Sequence, residues 1–292
     1  MRKSESGREK RIAELVEESL RAYEKYTQLR QLYREGRLSF SSVEDFVDDR
    51  GKSCLFRLKE LSHELFRNDE AGYRERLFDM LIGYTFHEAM KLRENLYQIE
   101  FYKPKLVNLL HFRREIVDEM RELTERAEKR LKEGIRQIGV LMRELRTQLA
   151  DLLRHYGTGY LMPRLLFEQR NSMKKVLGKK TFEVLLKEIY GEGKNALVME
   201  AAKSYLKSQY YEQARKLFKR CLFVDRENPE VLFLFRYASA FHFFFRGNAR
   251  KALYFAKEAL STKALDFIEY RRDLRSLLAE IDKDVGGGHA NL

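Results

Sequence analysis

The chain has 292 residues, 44% of them hydrophobic and 35% charged, with three prolines, no tryptophan and a formal net charge of +12. Few prolines and many good helix formers exclude a β-rich fold and predict an all-α one. Cys54 and Cys221 form no C-x-x-C pair, which argues against a disulfide framework or a zinc site and for a reducing, cytoplasmic setting.

The opening residues lack the apolar core of a secretory signal. From Arg8 to Glu35, apolar residues such as Ile12, Leu15, Leu20, Tyr26 and Leu29 fall mostly on one face at helical spacing, and Gly36 supplies a stop. Ser42, followed by Asp45, predicts a variant capping box. A second helix is expected over 53–66 and a third over 71–102, the latter capped by Asn68 or Asp69. From Pro104 an apolar stripe that includes Leu106, Leu110, Met120, Ile135, Met142 and Leu149 predicts one long helix over 104–156. A proline is tolerated in the first turn of such a helix. Arg113 and Gly134 interrupt the seam, so residues 1–156 are expected to form an antiparallel helical bundle with one long coiled-coil-like helix. Homodimerisation through that helix is the alternative. Residues 157–193 predict a helical connector with two short helices parted at Gly178, and "GEGKN" (191–195) a flexible joint.

Beyond the joint, "NALVMEAAKSYLKSQYYEQARKLFKRCLF" resembles the tetratricopeptide repeat, whose pattern is W-x2-L-G-x2-Y, then A-x3-F, then P. Val198 stands at the Trp position, Ala201 at Leu, Ala202 at Gly and Tyr205 at Tyr; Ala214 and Phe218 make the A-x3-F step, and Cys221 takes the next small site. The small residues let two helices approach closely. A second unit follows, with Ala240, Phe243, Gly247, Ala252, Ala256 and Ala259; Ala252 comes 38 residues after Ala214 (252 − 214), and Arg236 departs from the Trp position. The resemblance implies a short array over 194–284, closed by a capping helix over Leu265–Ile281. A flexible tail is expected over 285–292. Its implied concave face takes Ala196, Met199, Lys203 and Leu206 from the first unit and Leu234, Tyr237, Phe241 and Phe244 from the second. Phe235, Phe243 and Phe245 lie off that stripe and are expected to pack between repeat helices.

No catalytic constellation is legible. "GEGKN" lacks the first glycine and the Ser/Thr of a phosphate-binding loop. Glu60 and His63 share a helix face at di-iron spacing but have no second pair. No metal or cofactor is expected, nor enzymatic activity. The most apolar run, Val231–Phe245, is shorter than the ~18 residues of a membrane span and carries Arg236 and His242. The expected function is that of an interaction scaffold or adaptor, gripping an amphipathic helix or hydrophobic segment of a protein partner through Met199, Lys203, Leu206, Leu234, Tyr237, Phe241 and Phe244. The alternative is a basic helical nucleic-acid-binding protein, with Lys174, Lys175, Lys179 and Lys180 as anion contacts.

Overall fold

The computed structural model describes residues 2–48, 50, 52–67, 70–108, 114–192, 195–263 and 267–287. Among the described residues there are thirteen α-helices and no strand, so the chain is all-α. It divides into two compact units: Met1–Gly157 with Asn171–Leu185, and Thr158–Arg170 with Leu186–Leu292. The expected connector is therefore split between the units. No described helix is long and apolar enough to cross a membrane.

The first unit begins with α1 (Arg2–Arg34), α2 (Phe40–Val47), α3 (Cys54–Phe66), α4 (Tyr73–Asn108) and α5 (Arg114–Tyr156). Side-chain pairs give their directions. Arg11 meets Glu64 and Glu18 meets Arg57, so α1 and α3 run antiparallel. Lys103 pairs with Glu128, while Tyr156 donates to Glu75, so α4 and α5 do too. The stripes read from the sequence face these contacts: Ile12, Leu15, Leu29, Ile135, Met142 and Leu149 are all buried. Two glycines set the closest approaches of α5. A Cβ at Gly134 would sit 3.2 Å from a Leu92 methyl of α4, and one at Gly139 would sit 2.7 Å from the Tyr26 hydroxyl of α1.

Several boundaries differ from the sequence expectation. Pro104 does not open the long helix; it lies in the last turns of α4, which continues to Asn108. The missing N–H costs one bond near a helix end, at an exposed residue where water can take its place. Leu106 therefore belongs to α4, and α5 starts at Arg114; Leu110 and Arg113 lie outside the described residues. The cap in "SFSS" is Ser39, whose hydroxyl accepts from the Ser42 N–H, so Ser42 and Asp45 fall inside α2. Ser53 caps α3 in the same way, accepting from the Phe56 N–H. Asn68 and Asp69 lie outside the described residues. The connector holds three helices, α6 (Met162–Glu168), α7 (Arg170–Leu177) and α8 (Lys179–Tyr190). Gly178, in the left-handed region at φ +87°, parts the last two.

In the second unit, α6 packs on α9 (Ala196–Lys207), α9 on α10 (Tyr211–Leu222), α10 on α11 (Pro229–Phe245), and α11 on α12 (Ala249–Ser261). α13 (Ile268–Gly287) lies against both α11 and α12. Leu265 lies outside the described residues, and α13 extends past the start of the expected tail, to Gly287. The α9–α10 and α11–α12 turns are built alike. Gln209 (φ 62°) and Gly247 (φ 72°) occupy the same left-handed place. Tyr210 N–H bonds to the Tyr205 carbonyl as Asn248 N–H bonds to that of Phe243, both at 2.9 Å; Gln209 to Leu206 likewise matches Gly247 to Phe244. Each partner lies the same distance along the chain from its counterpart as Ala252 does from Ala214. The small residues at the contacts, Ala202, Ala214, Ala240 and Ala252, are all fully buried.

Arg236 explains its own departure from the repeat pattern. Its guanidinium donates to the Glu258 carbonyl (3.1 Å) and the Thr262 hydroxyl (2.7 Å), and pairs with the Glu258 carboxylate at 2.8 Å. A cation there satisfies carbonyls at the end of α12, where the helix dipole favours positive charge.

Candidate functional site

The aromatic face of α11 has two halves. Toward its N-terminus, α13 covers it: Phe267 stacks on Phe233 with ring centroids 4.7 Å apart, and Tyr270 meets Tyr237 edge-on at 4.8 Å. The Tyr237 hydroxyl donates to Asp273 of α13 at 3.1 Å. Burial, and then the Asp273 charge, push the Tyr237 phenol well above its ordinary range, so it stays a donor. Leu206, Leu234 and Tyr237 are all buried; of the expected docking residues, these three are core. For Tyr237 the physical reason is α13, whose apolar side chains Leu274, Leu277 and Ile281 are buried in the same cluster.

Toward its C-terminus the face is open. Phe241 and Phe244 are half-buried, as are Met199 and Lys203. Tyr211, from the start of α10, stacks on Phe241 (5.1 Å, 16° between planes) and on Phe245 (5.7 Å, 18°). Phe245 is 68% exposed and Tyr210 47%. Tyr210, Tyr211 and Phe245 line a shallow depression of about 420 Å³ that also takes in Gln209, Glu212, Gln213, His242 and Arg246. Phe235 and Phe243 do pack between helices, both against Phe255, but Phe245 does not. It continues the steps of four from Tyr237 and Phe241. That spacing is the signal for it in the sequence, although the expected concave stripe takes Phe244 instead. Tyr210, Tyr211 and Arg246 carried no comparable signal, because they become neighbours only once α10 folds back on α11.

Lys203 is the only base among the eight concave positions, and it is engaged: it pairs with Glu200 at 3.1 Å and with Glu230 of α11 at 2.9 Å. It fastens two helices together. Arg164 of α6 pairs with Glu168 and lies over the rings of Tyr205 and Tyr210, 5.0 and 4.8 Å from their centroids. The Tyr205 hydroxyl donates to that same Glu168. Burial, then the Glu168 contact, push the Tyr205 phenol up to about 12. Lys174 and Lys175 end α7, and Lys179 and Lys180 begin α8; they enter none of the ion pairs found among the described residues.

Among the described residues no group of His, Cys, Asp and Glu is arranged to hold a metal ion. His63 Nδ1 lies 3.6 Å from Asp79, while Glu60 is exposed. Burial, aided by the Glu18 charge, pushes the Cys54 thiol up to about 11, and burial also raises that of Cys221. Comparison with known proteins finds no matching family model, no matching curated protein and no matching solved structure.

Proposed function

We propose that the chain is a non-enzymatic adaptor whose second unit is a short tetratricopeptide-like array, holding a segment of a protein partner at the open end of the α11 face. The observation that carries this reading is the three-ring stack of Tyr211, Phe241 and Phe245, whose outermost ring is 68% exposed. Aromatic anchors of this kind carry a large share of interface energy, and an exposed Phe held by stacking is already ordered before a partner arrives. The matched turns of the two hairpins support the repeat reading, since they place small residues and left-handed turns in register without any demand from the rest of the chain.

The test is affinity capture from the native cell by the parent chain and by Phe245→Ala, each with and without nuclease. Protein partners that resist nuclease and disappear with Phe245→Ala support the adaptor. Partners that vanish with nuclease and ignore Phe245 overturn it. One observation favours a second reading, phosphate binding: four lysines crowd the turn at Gly178 outside any ion pair found among the described residues. That reading predicts oligonucleotide binding that falls steeply with salt.

A further inference from the structure

We infer that the segment docked at the open end of the α11 face is an acidic peptide carrying a large apolar side chain, seated against Tyr210, Tyr211 and Phe245. The inference rests on the adaptor reading above and adds the chemistry of the partner. Its basis is the charge around the depression. From Asn195 to Lys263 the chain has thirteen Lys and Arg residues against six Asp and Glu. Four of those six acids are already taken: Glu200 and Glu230 by Lys203, Glu212 by Lys216 and Arg246, and Glu258 by Arg236. Glu212 is the single carboxylate lining the depression, and its two partners leave a surplus of positive charge beside it. The Arg164 guanidinium also lies over Tyr210, but it is paired with Glu168 and adds no net charge there. Exposed Lys207 and Arg250 flank the two turns in sequence.

His242, which lines the depression, senses this field. Burial, then Arg215 and Arg246, hold its imidazole below its ordinary range; Lys216 acts in the same direction and only Glu212 opposes them. A protonated imidazole is unwelcome where cations already crowd. The apolar half of the site is equally specific. Much of Phe245 and of Tyr210 remains open to solvent, which suits a Leu or Phe side chain laid against the rings. A ligand with apolar character alone would leave the cations uncompensated, and one with basic residues would be repelled.

Fluorescence anisotropy with three labelled peptides tests the inference in ~0.15 M salt, where only short-range charge contacts survive. One peptide places a Leu-Phe pair between acidic triplets; the second replaces every acid by Lys; the third keeps the acids and replaces Leu-Phe by Ala-Ala. The acidic Leu-Phe peptide should bind at least about tenfold tighter than either other peptide. Phe245→Ala and Arg246→Glu, both at exposed side chains, should each weaken it by about tenfold without moving the melting transition. Its carboxylates should raise the His242 pKa in the complex, read from the imidazole proton shifts, so that binding tightens as pH falls through that titration. Equal or tighter binding of the Lys peptide through Phe245 would overturn the acidic chemistry while leaving the adaptor standing. Absence of any Phe245-dependent peptide binding would remove both. A single-stranded oligonucleotide competing at Phe245 would assign the aromatic stack to base stacking instead.

Discussion

Tyr237 and Phe245 stand on one stripe of one helix and should respond to truncation in opposite ways. Tyr237 is 4% exposed and held on three sides by Phe241, Tyr270 and the Asp273 carboxylate. Removing its ring leaves a cavity and strips the half-buried Asp273 carboxylate of its donor, so Tyr237→Ala should cost ~3–5 kcal/mol. Phe245→Ala removes a ring already in water for most of its area and should stay within about 0.5 kcal/mol of the parent. Urea midpoints for the two variants decide this; similar losses would mean that the stack is a structural element of the fold and not an open anchor. The glycines of the first unit give a second contrast. A Cβ at Gly83, inside α4, meets nothing within 4 Å, whereas one at Gly139 meets the Tyr26 hydroxyl at 2.7 Å. Gly83→Ala should therefore raise stability by ~0.5–1 kcal/mol through helix propensity. Gly139→Val, wedging a branched side chain between α5 and the buried Tyr26, should lower it by more than ~2 kcal/mol. If both changes raised the melting temperature, α5 would not lie as close to α1 as this contact requires.

At the scale of elements, α13 is the piece on which the array depends most. It buries Leu274, Leu277 and Ile281 and covers Phe233 and Tyr237. Each large apolar side chain so buried contributes ~1.5–3 kcal/mol, and five together rival the net stability of a whole domain. Ending the chain at Lys263 should abolish the near-ultraviolet tyrosine signal of the array and raise binding of an apolar dye. A truncated chain that keeps both signals at parental level would show that α13 is dispensable. α1 and the body of α5 were legible in the sequence, because apolar residues at steps of three and four report a buried face whatever covers it; α13 was expected only from the resemblance to a repeat array. What covers such a face was not legible. The stripe through Tyr237 reads the same whether its neighbour is a partner or Phe267 and Tyr270, and these meet it only by tertiary folding. The serines of "SFSS" offered several cap positions, and local spacing could not choose Ser39. Pro104 fitted the rule for a helix start, yet that rule ignores how cheaply one missing bond is tolerated near the end of a long helix. Arg236 looked like a flaw in the second repeat until Glu258 and Thr262 were placed opposite it.

For the molecule as a whole, the chain passes between its two units more than once, and this fixes what can be cut away. Thr158–Arg170 belongs to the second unit, Asn171–Leu185 to the first, and the chain from Leu186 onward to the second again. A fragment starting at α9, residues 195–292, therefore discards α6. That helix packs on α9 and buries Met162, Leu165 and Leu166. It also supplies Glu168 to the Tyr205 hydroxyl and Arg164 to the rings of Tyr205 and Tyr210. The proposed tetratricopeptide-like array would have only two hairpins, and α6 provides a neighbour that α9 would otherwise lack. Fragment 158–292 should consequently be more stable than 195–292 by at least ~3 kcal/mol, the scale of two or three buried aliphatic side chains. Its urea m-value should also be larger, since more surface is exposed on unfolding. The comparison has one hazard: within 171–185 the side chains of Met173, Val176, Leu177, Phe182 and Leu185 are buried in the whole chain and would be stranded in the fragment. Replacing these five by Ser should keep the longer fragment soluble without touching α6 or α9. If 195–292 then matched that variant in both midpoint and m-value, the array would end at α9, and the Tyr205–Glu168 contact would contribute nothing to its fold.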